Sequence, residues 1–161
     1  MIRAATSADA AAIVTIWNPV IRTPEVTFNA TEKTEGDICA MIGERARLGH
    51  CFVVAETAGG VQGFASYAQF RGGVGYAHTM EHSVILRPEA RGQGLGRALM
   101  RHVEDHAKAA GAHMMIAGVS SANPNARAFH AALGYDEVAV LREVGRKFGV
   151  WYDLHLMQKR L

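Results

Sequence analysis

With 161 residues, the chain is long enough to bury about two thirds of its unfolded surface, and its length predicts a single domain over 1–161. A composition of 49% hydrophobic and 20% charged residues is that of an ordinary globular protein and argues against a disordered chain. A net charge of +2, with the basic residues scattered, argues against a nucleic-acid partner, and no apolar run approaches the length needed to span a membrane. Cys39 and Cys51 lack a C-x-x-C spacing, so two reduced thiols are expected, as in a cytoplasmic protein, and no disulfide. The opening residues pass into a strand without the apolar core of a signal segment.

Residues 2–5 read as a first strand, and Thr6-Ser7-Ala8-Asp9 as a capping box that opens a helix. Ile13, Val14, Ile16 and Trp17 give this helix an apolar face, and Pro19 is expected to end or bend it. Residues 21–34, with Pro24, read as irregular. A second helix is predicted over 35–48, with Ile38, Met41, Ile42 and Ala46 on one side and Gly49 as its stop. Residues 51–57 and 61–70 read as a hairpin turned at Gly59-Gly60, and residues 71–75 as a flexible loop. The apolar run 78–86 is a central strand, and Leu95, Leu99, Val103 and His106 then recur at helical spacing. Residues 113–119 form another buried strand, and Pro124 opens a helix to residue 133, with Gly134 as its cap. Residues 135–141 and 151–158 are the last strands, joined through a hairpin region at 145–149.

The strand 78–86, the loop Arg91-Gly92-Gln93-Gly94-Leu95-Gly96-Arg97 and the helix after it form an anion-binding device. Backbone N–H groups in the first turn of a helix have no partner within it and carry the positive end of its dipole. Glycines at 92, 94 and 96 keep side chains out of the way, and Arg91 and Arg97 set a cation at each end, so a pyrophosphate fits. A P-loop would need Lys and then Ser or Thr after its last glycine, and none stands there. A dinucleotide fold would place G-x-G-x-x-G early in the domain, whereas these glycines alternate and lie past mid-chain.

The pattern Arg91-x-x-Gly94-x-Gly96 resembles the acetyl-CoA loop of the GCN5-related N-acetyltransferase (GNAT) superfamily. Thr79-x-Glu81-His82-Ser83 resembles a strand motif of its phosphinothricin and methionine sulfoximine acetyltransferases. So does the ending Val144-Gly145-Arg146-Lys147-Phe148-Gly149 with Trp151, Asp153, Met157 and Gln158. The resemblance implies an α/β fold with a central mixed, mostly antiparallel twisted sheet flanked by helices. It also implies acetyl-CoA as co-substrate, no metal, and a homodimer in the cytoplasm. By the same resemblance Arg91, Gly92, Gln93, Gly94, Leu95, Gly96 and Arg97 hold the pyrophosphate. The backbone of Val84, Ile85 and Leu86 and the side chain of Asn123 meet the pantetheine arm. Asn123 equally suits a helix cap, and both roles can coexist.

Acetyl transfer from a thioester needs a neutral amine, a polarised carbonyl and a proton for the departing thiolate. Side chains alternate along a strand, which sets Thr79, Glu81 and Ser83 on one face and His78, Met80 and His82 on the other. Glu81 is the candidate general base, the alternative being a charge paired with an arginine such as Arg71. His130 stands where many superfamily members carry the tyrosine that protonates the thiolate; a structural histidine is the alternative. Arg71 is the resembling subfamily's cation for an amino acid carboxylate, or else an exposed loop arginine. Gly72, Gly73 and Val74 replace that subfamily's usual Pro and Phe residues. Phe28 and the backbone near Glu81, His82 and Ser83 complete the expected pocket.

His102 and His106 have i, i+4 spacing but no third ligand, so a helix face is expected rather than a metal site. Phe148 and Trp151, without a basic groove, suit packing or a dimer contact. The expected activity is acetylation, by direct attack, of the α-amine of a small amino acid analogue of the phosphinothricin, methionine sulfoximine or methionine sulfone type. Acetylation of a polyamine, an aminoglycoside or a protein N-terminus, and CoA sensing without turnover, are the alternatives.

Overall fold

The computed structural model describes residues 1–161 and contains one seven-stranded sheet. The strands are β1 (Ile2–Ala4), β2 (Phe52–Thr57), β3 (Gly60–Gln69), β4 (Thr79–Leu86), β5 (Met114–Ser120), β6 (Asp136–Lys147) and β7 (Val150–Arg160), in the order β1-β2-β3-β4-β5-β7-β6. The helices are α1 (Ala10–Ile21), α2 (Glu35–Arg47), α3 (Leu95–Ala109) and α4 (Pro124–Ala132). All neighbours are antiparallel except β4 and β5, as the mixed, mostly antiparallel expectation required.

Strand alternation gives the sheet a core on each face. Along β2, Val53 and Ala55 join one cluster with Leu99, Met100, Val103 and Ala107 of α3. Phe52 and Val54 join the other, with Ala10, Ile13 and Ile16 of α1 and Ile38 of α2. β4 divides the same way, Met80 facing α3 and Ile85 facing α1 and α2. Neighbouring residues of β4 therefore serve opposite sides of the sheet.

The parallel pair β4–β5 is short. It registers only Thr79 with Met114, Met80 with Met115 and Glu81 with Ile116. Beyond Glu81, β4 stays paired with β3 and β5 with β7, so the two strands part, leaving residues 82–86 with one edge free of strand partners.

Three local expectations are corrected. Helix α1 runs past Pro19 to Ile21: a proline in the last turn forfeits one backbone bond, and burial of Ile21 holds the turn in place. The segment 71–75 is organised, because the Gln69 side-chain amide donates to the carbonyls of Arg71 and Gly73 at 2.7 and 2.8 Å. A short 3-10 turn, Val74–Tyr76, begins within it. Strand β6 continues through a bulge between Leu141 and Gly145 to Lys147, where its polar residues suggested only a connection.

The segment 22–34 is irregular but fixed at both ends. Buried Asn18 accepts from Lys33 N at 2.8 Å and donates to Lys33 O at 3.0 Å. From β6, the ammonium of Lys147, a residue only 2% exposed, donates to the carbonyls of Thr23 and Thr27 at 2.6 and 2.8 Å. Burial lowers the pKa of Lys147, and those two carbonyls supply its hydrogen bonds.

Candidate active site

The anion device stands as its residues imply. Gly94 is the N-cap of α3 with φ +80°, and Gly92 has φ +74°, left-handed conformations that L side chains resist. A Cβ built on either would meet nothing within 4 Å, so the loop offers an open cradle to the first turn of α3. Gly96 differs: its Cβ would stand 3.2 Å from Leu86 and Phe129, so that glycine lets the helix pack closely. The Gln93 side-chain amide donates to Glu89 O at 2.8 Å and steadies the loop, while Arg91 and Arg97 are exposed at its ends.

Val84, Ile85 and Leu86 follow on the free edge of β4, across the gap from residues 117–120. Asn123 caps α4, its Oδ1 accepting from Ala126 N at 3.1 Å, which leaves its amide N–H groups for another partner. An open strand edge beside a helix start built for phosphate is the arrangement of a protein that holds an extended arm joined to a diphosphate. The residues fit that group.

Glu81 is the last residue of β4 paired with β5, at the point where the strands part. It makes no ion pair, and burial alone raises its pKa. Its carboxylate lies over Gly118 of β5, where a Cβ would stand 3.0 Å from Glu81 Oε1. Gly118 was missed in the sequence because an isolated glycine in a strand has many explanations. Glu81 and Ser83 line a cavity of about 200 Å³ with Trp17 of α1 and Met41 and Arg45 of α2.

Arg71 is not brought to this cavity. Its guanidinium lies 5.3 Å from the ring centre of Tyr76, and with Gly72 and Gly73 it lines an adjoining cavity of about 650 Å³. The pairing of Glu81 with Arg71 is not formed. Tyr67, Ala68, Gln69 and Arg45 line both cavities. Phe28 packs on the bare Cα of Gly145 and stacks on Tyr152, with ring centres 6.0 Å apart, outside the lining of the Glu81 cavity.

His130 is buried, with both ring nitrogens engaged. Nδ1 lies 2.7 Å from Ala126 O, which can only accept, so Nδ1 carries a proton. Nε2 lies 2.9 Å from Nε2 of His82. Burial lowers the pKa of both imidazoles, His82 to about 3, so the resting pair is neutral with the shared proton on His82. The pair sits on the α3 face of β4, opposite Glu81. His106 is likewise committed, its Nδ1 lying 2.9 Å from the Tyr67 hydroxyl, and the fold gathers no group of three or more potential metal ligands.

The model of the acetyltransferase (GNAT) family matches residues 16–135, and the chain belongs to that family. It is an acetyl-CoA-dependent N-acetyltransferase. An L-methionine sulfoximine/L-methionine sulfone acetyltransferase of Salmonella typhimurium is 39% identical, the match covering 99% of this chain and 94% of that protein. Among solved structures, one from Salmonella typhimurium with its cofactor acetyl-CoA superposes with a TM-score of 0.95 at 37% identity, covering 100% of this chain and 93% of that one. A phosphinothricin acetyltransferase from Sinorhizobium meliloti in complex with acetyl-CoA gives 0.94 at 32% identity, covering 100% and 88%. No helix is long and apolar enough to cross a membrane.

Proposed function

We propose that residues 1–161 form a single acetyltransferase domain that acetylates the α-amine of a small amino acid analogue of the methionine sulfoximine, methionine sulfone or phosphinothricin type. The supporting relatives act on acceptors of this type. The observation that carries the reading is Glu81: a half-buried carboxylate without a cationic partner, where two strands part, lining a cavity.

Bound acetyl-CoA supplies an activated acetyl thioester. The amides of the first turn of α3, flanked by Arg91, Gly92, Gln93, Gly94, Leu95, Gly96 and Arg97, hold the diphosphate. The free edge of Val84, Ile85 and Leu86 and the amide of Asn123 take the pantetheine arm as an added strand. Glu81 removes the proton from the acceptor ammonium, directly or through water, and its raised proton affinity suits that task near neutral pH. The departing thiolate takes the second proton that the acceptor nitrogen loses as the amide forms, because both ring nitrogens of His130 are already engaged with Ala126 and His82. Attack is direct, since burial pushes the Cys51 thiol up to about 11, which leaves it a poor nucleophile.

The backbone of His82 and Ser83 borders the acceptor, with the Arg71-Gly72-Gly73 segment as the outer wall. The protein works in the cytoplasm as a homodimer. Exposed Val138, Leu141, Val144, Phe148, Val150 and Trp151 on the β6–β7 hairpin support a self-contact there.

Purified protein mixed with acetyl-CoA and a panel of amines, with thiol release as the readout, tests the proposal. Release with methionine sulfoximine, its sulfone or phosphinothricin is expected. Release only with polyamines, aminoglycosides or peptides would replace the acceptor class. Acetyl-CoA binding with no release from any amine would leave a sensor.

A further inference from the structure

We propose that Arg45, in the last turn of α2, anchors the carboxylate of the acceptor; this assignment rests on the acetyl-transfer reading of the Glu81 cavity. An α-amino acid carries a cation and an anion on one carbon, so its site needs an opposite charge for each. Of the residues lining the Glu81 cavity, Glu81 alone is acidic and Arg45 alone is basic. Trp17 and Met41 give the same cavity an apolar wall for a thioether-like or methyl-bearing side chain.

The guanidinium of Arg45 has a free edge. Its Nη1 donates to the Glu44 carboxylate at 2.8 Å, while Nε is buried and has no hydrogen-bond partner. A buried cationic N–H left unpaired is costly, and the Nε–Nη2 edge of an arginine is a fork matched to the two oxygens of a carboxylate. An acceptor carboxylate docked there satisfies Nε. Glu44 is 53% exposed at its side chain, so solvent screens its competing charge, whereas the Arg45 side chain is 16% exposed.

Arg45 also lines the larger cavity that contains Arg71 and His50, which puts the anchor at the junction of the two. A group attached to the carboxylate would extend into open volume. Discrimination against a carboxamide is therefore electrostatic rather than steric. Arg71, exposed and stacked on Tyr76, adds positive potential to the outer chamber without reaching the inner one.

The test compares L-methionine sulfoximine, its neutral carboxamide and the corresponding decarboxylated amine. The wild type should favour the free acid by about tenfold or more in kcat/KM, and Arg45→Met should abolish that preference through KM. Arg45→Lys keeps the charge and the aliphatic stem but lacks the fork, and should recover part of the preference. It serves as the informative variant if Arg45→Met fails to fold, as judged by circular dichroism. Retention of the preference in both variants, or its loss in Arg71→Met instead, would overturn the assignment. If no amine is acetylated, the transfer reading falls and calorimetry of L-methionine sulfoximine decides the anchor separately. Weaker binding in the Arg45 variants supports it; equal binding, or none to the wild type, overturns it.

Discussion

Glu81 on β4 and Gly118 on β5 share one small volume: a Cβ on Gly118 would stand 3.0 Å from the Glu81 carboxylate. Valine is a good strand former, so Gly118→Val should fold while pushing the carboxylate out of place. Misplacement of a reacting group by about 1 Å costs on the order of a hundredfold, and kcat should fall on that scale. Calorimetry should find acetyl-CoA affinity almost unaltered; unchanged kcat would remove Gly118 from the site.

Glu81→Gln should lower turnover by about 10²–10⁴-fold, because it removes proton transfer and leaves the phosphate loop intact. Burial raises the Glu81 pKa, so the rising limb of the wild-type pH profile should lie above the ordinary carboxylate range and be absent in the variant. The stability sign follows from the same shift. A group whose pKa is raised by folding favours the folded state below its unfolded pKa and loses that contribution as pH rises through the folded one. Glu81→Gln should therefore raise the melting temperature at pH 7 relative to its effect at pH 4, as read by scanning calorimetry.

At Gly94 the backbone has φ +80°, and nothing lies within 4 Å of a Cβ built there. Alanine should cost about 1 kcal/mol of stability through the left-handed conformation alone. Valine at the same position should, beyond that cost, put a branched side chain into the cradle and weaken acetyl-CoA binding well beyond the alanine variant. Equal cofactor affinity in Gly94→Val and the wild type would refute the loop assignment.

Lys147→Met would leave the carbonyls of Thr23 and Thr27 without their donor. A loss of about 1–3 kcal/mol is expected for buried acceptors left unpaired. Hydrogen exchange in residues 22–34 should accelerate while α3 stays protected, a contrast visible by mass spectrometry.

Asp9 receives the Arg3 guanidinium at 2.8 and 2.9 Å, which holds its pKa down at about 2. Its stabilisation is present above about pH 4, its unfolded range, and is lost as pH falls towards 2. With allowance for solvent screening, Asp9→Asn should cost about 1 kcal/mol at pH 7 and close to nothing at pH 2, measured by urea titration.

The anion device was legible in the sequence because its parts are contiguous: strand, glycines and amphipathic helix follow one another in order. The hairpin of β2 and β3 and the cap on α4 were legible for the same reason. The parting of β4 from β5 was not, since it depends on how residues 79–81 register with 114–116, far along the chain. Arg45 looked like one more charge at the end of a helix, and only the packing of α2 brings it to the cavity of Glu81. Arg71, singled out by its motif, stacks instead on Tyr76 five residues on. The polar stretch 142–147 hid a strand because that strand lies at the sheet's edge, where burial does not impose a two-residue period.

The clasp between Lys147 and the segment carrying Phe28 joins residues 124 and 120 positions apart in sequence. A chain leaving the ribosome has its early loop in solution long before the lysine that fastens it has been made. The sheet's middle can form first, but the loop is secured only when the final hairpin docks. Synthesis thus imposes a timetable in which the clasped loop is among the last parts of the molecule to be made firm.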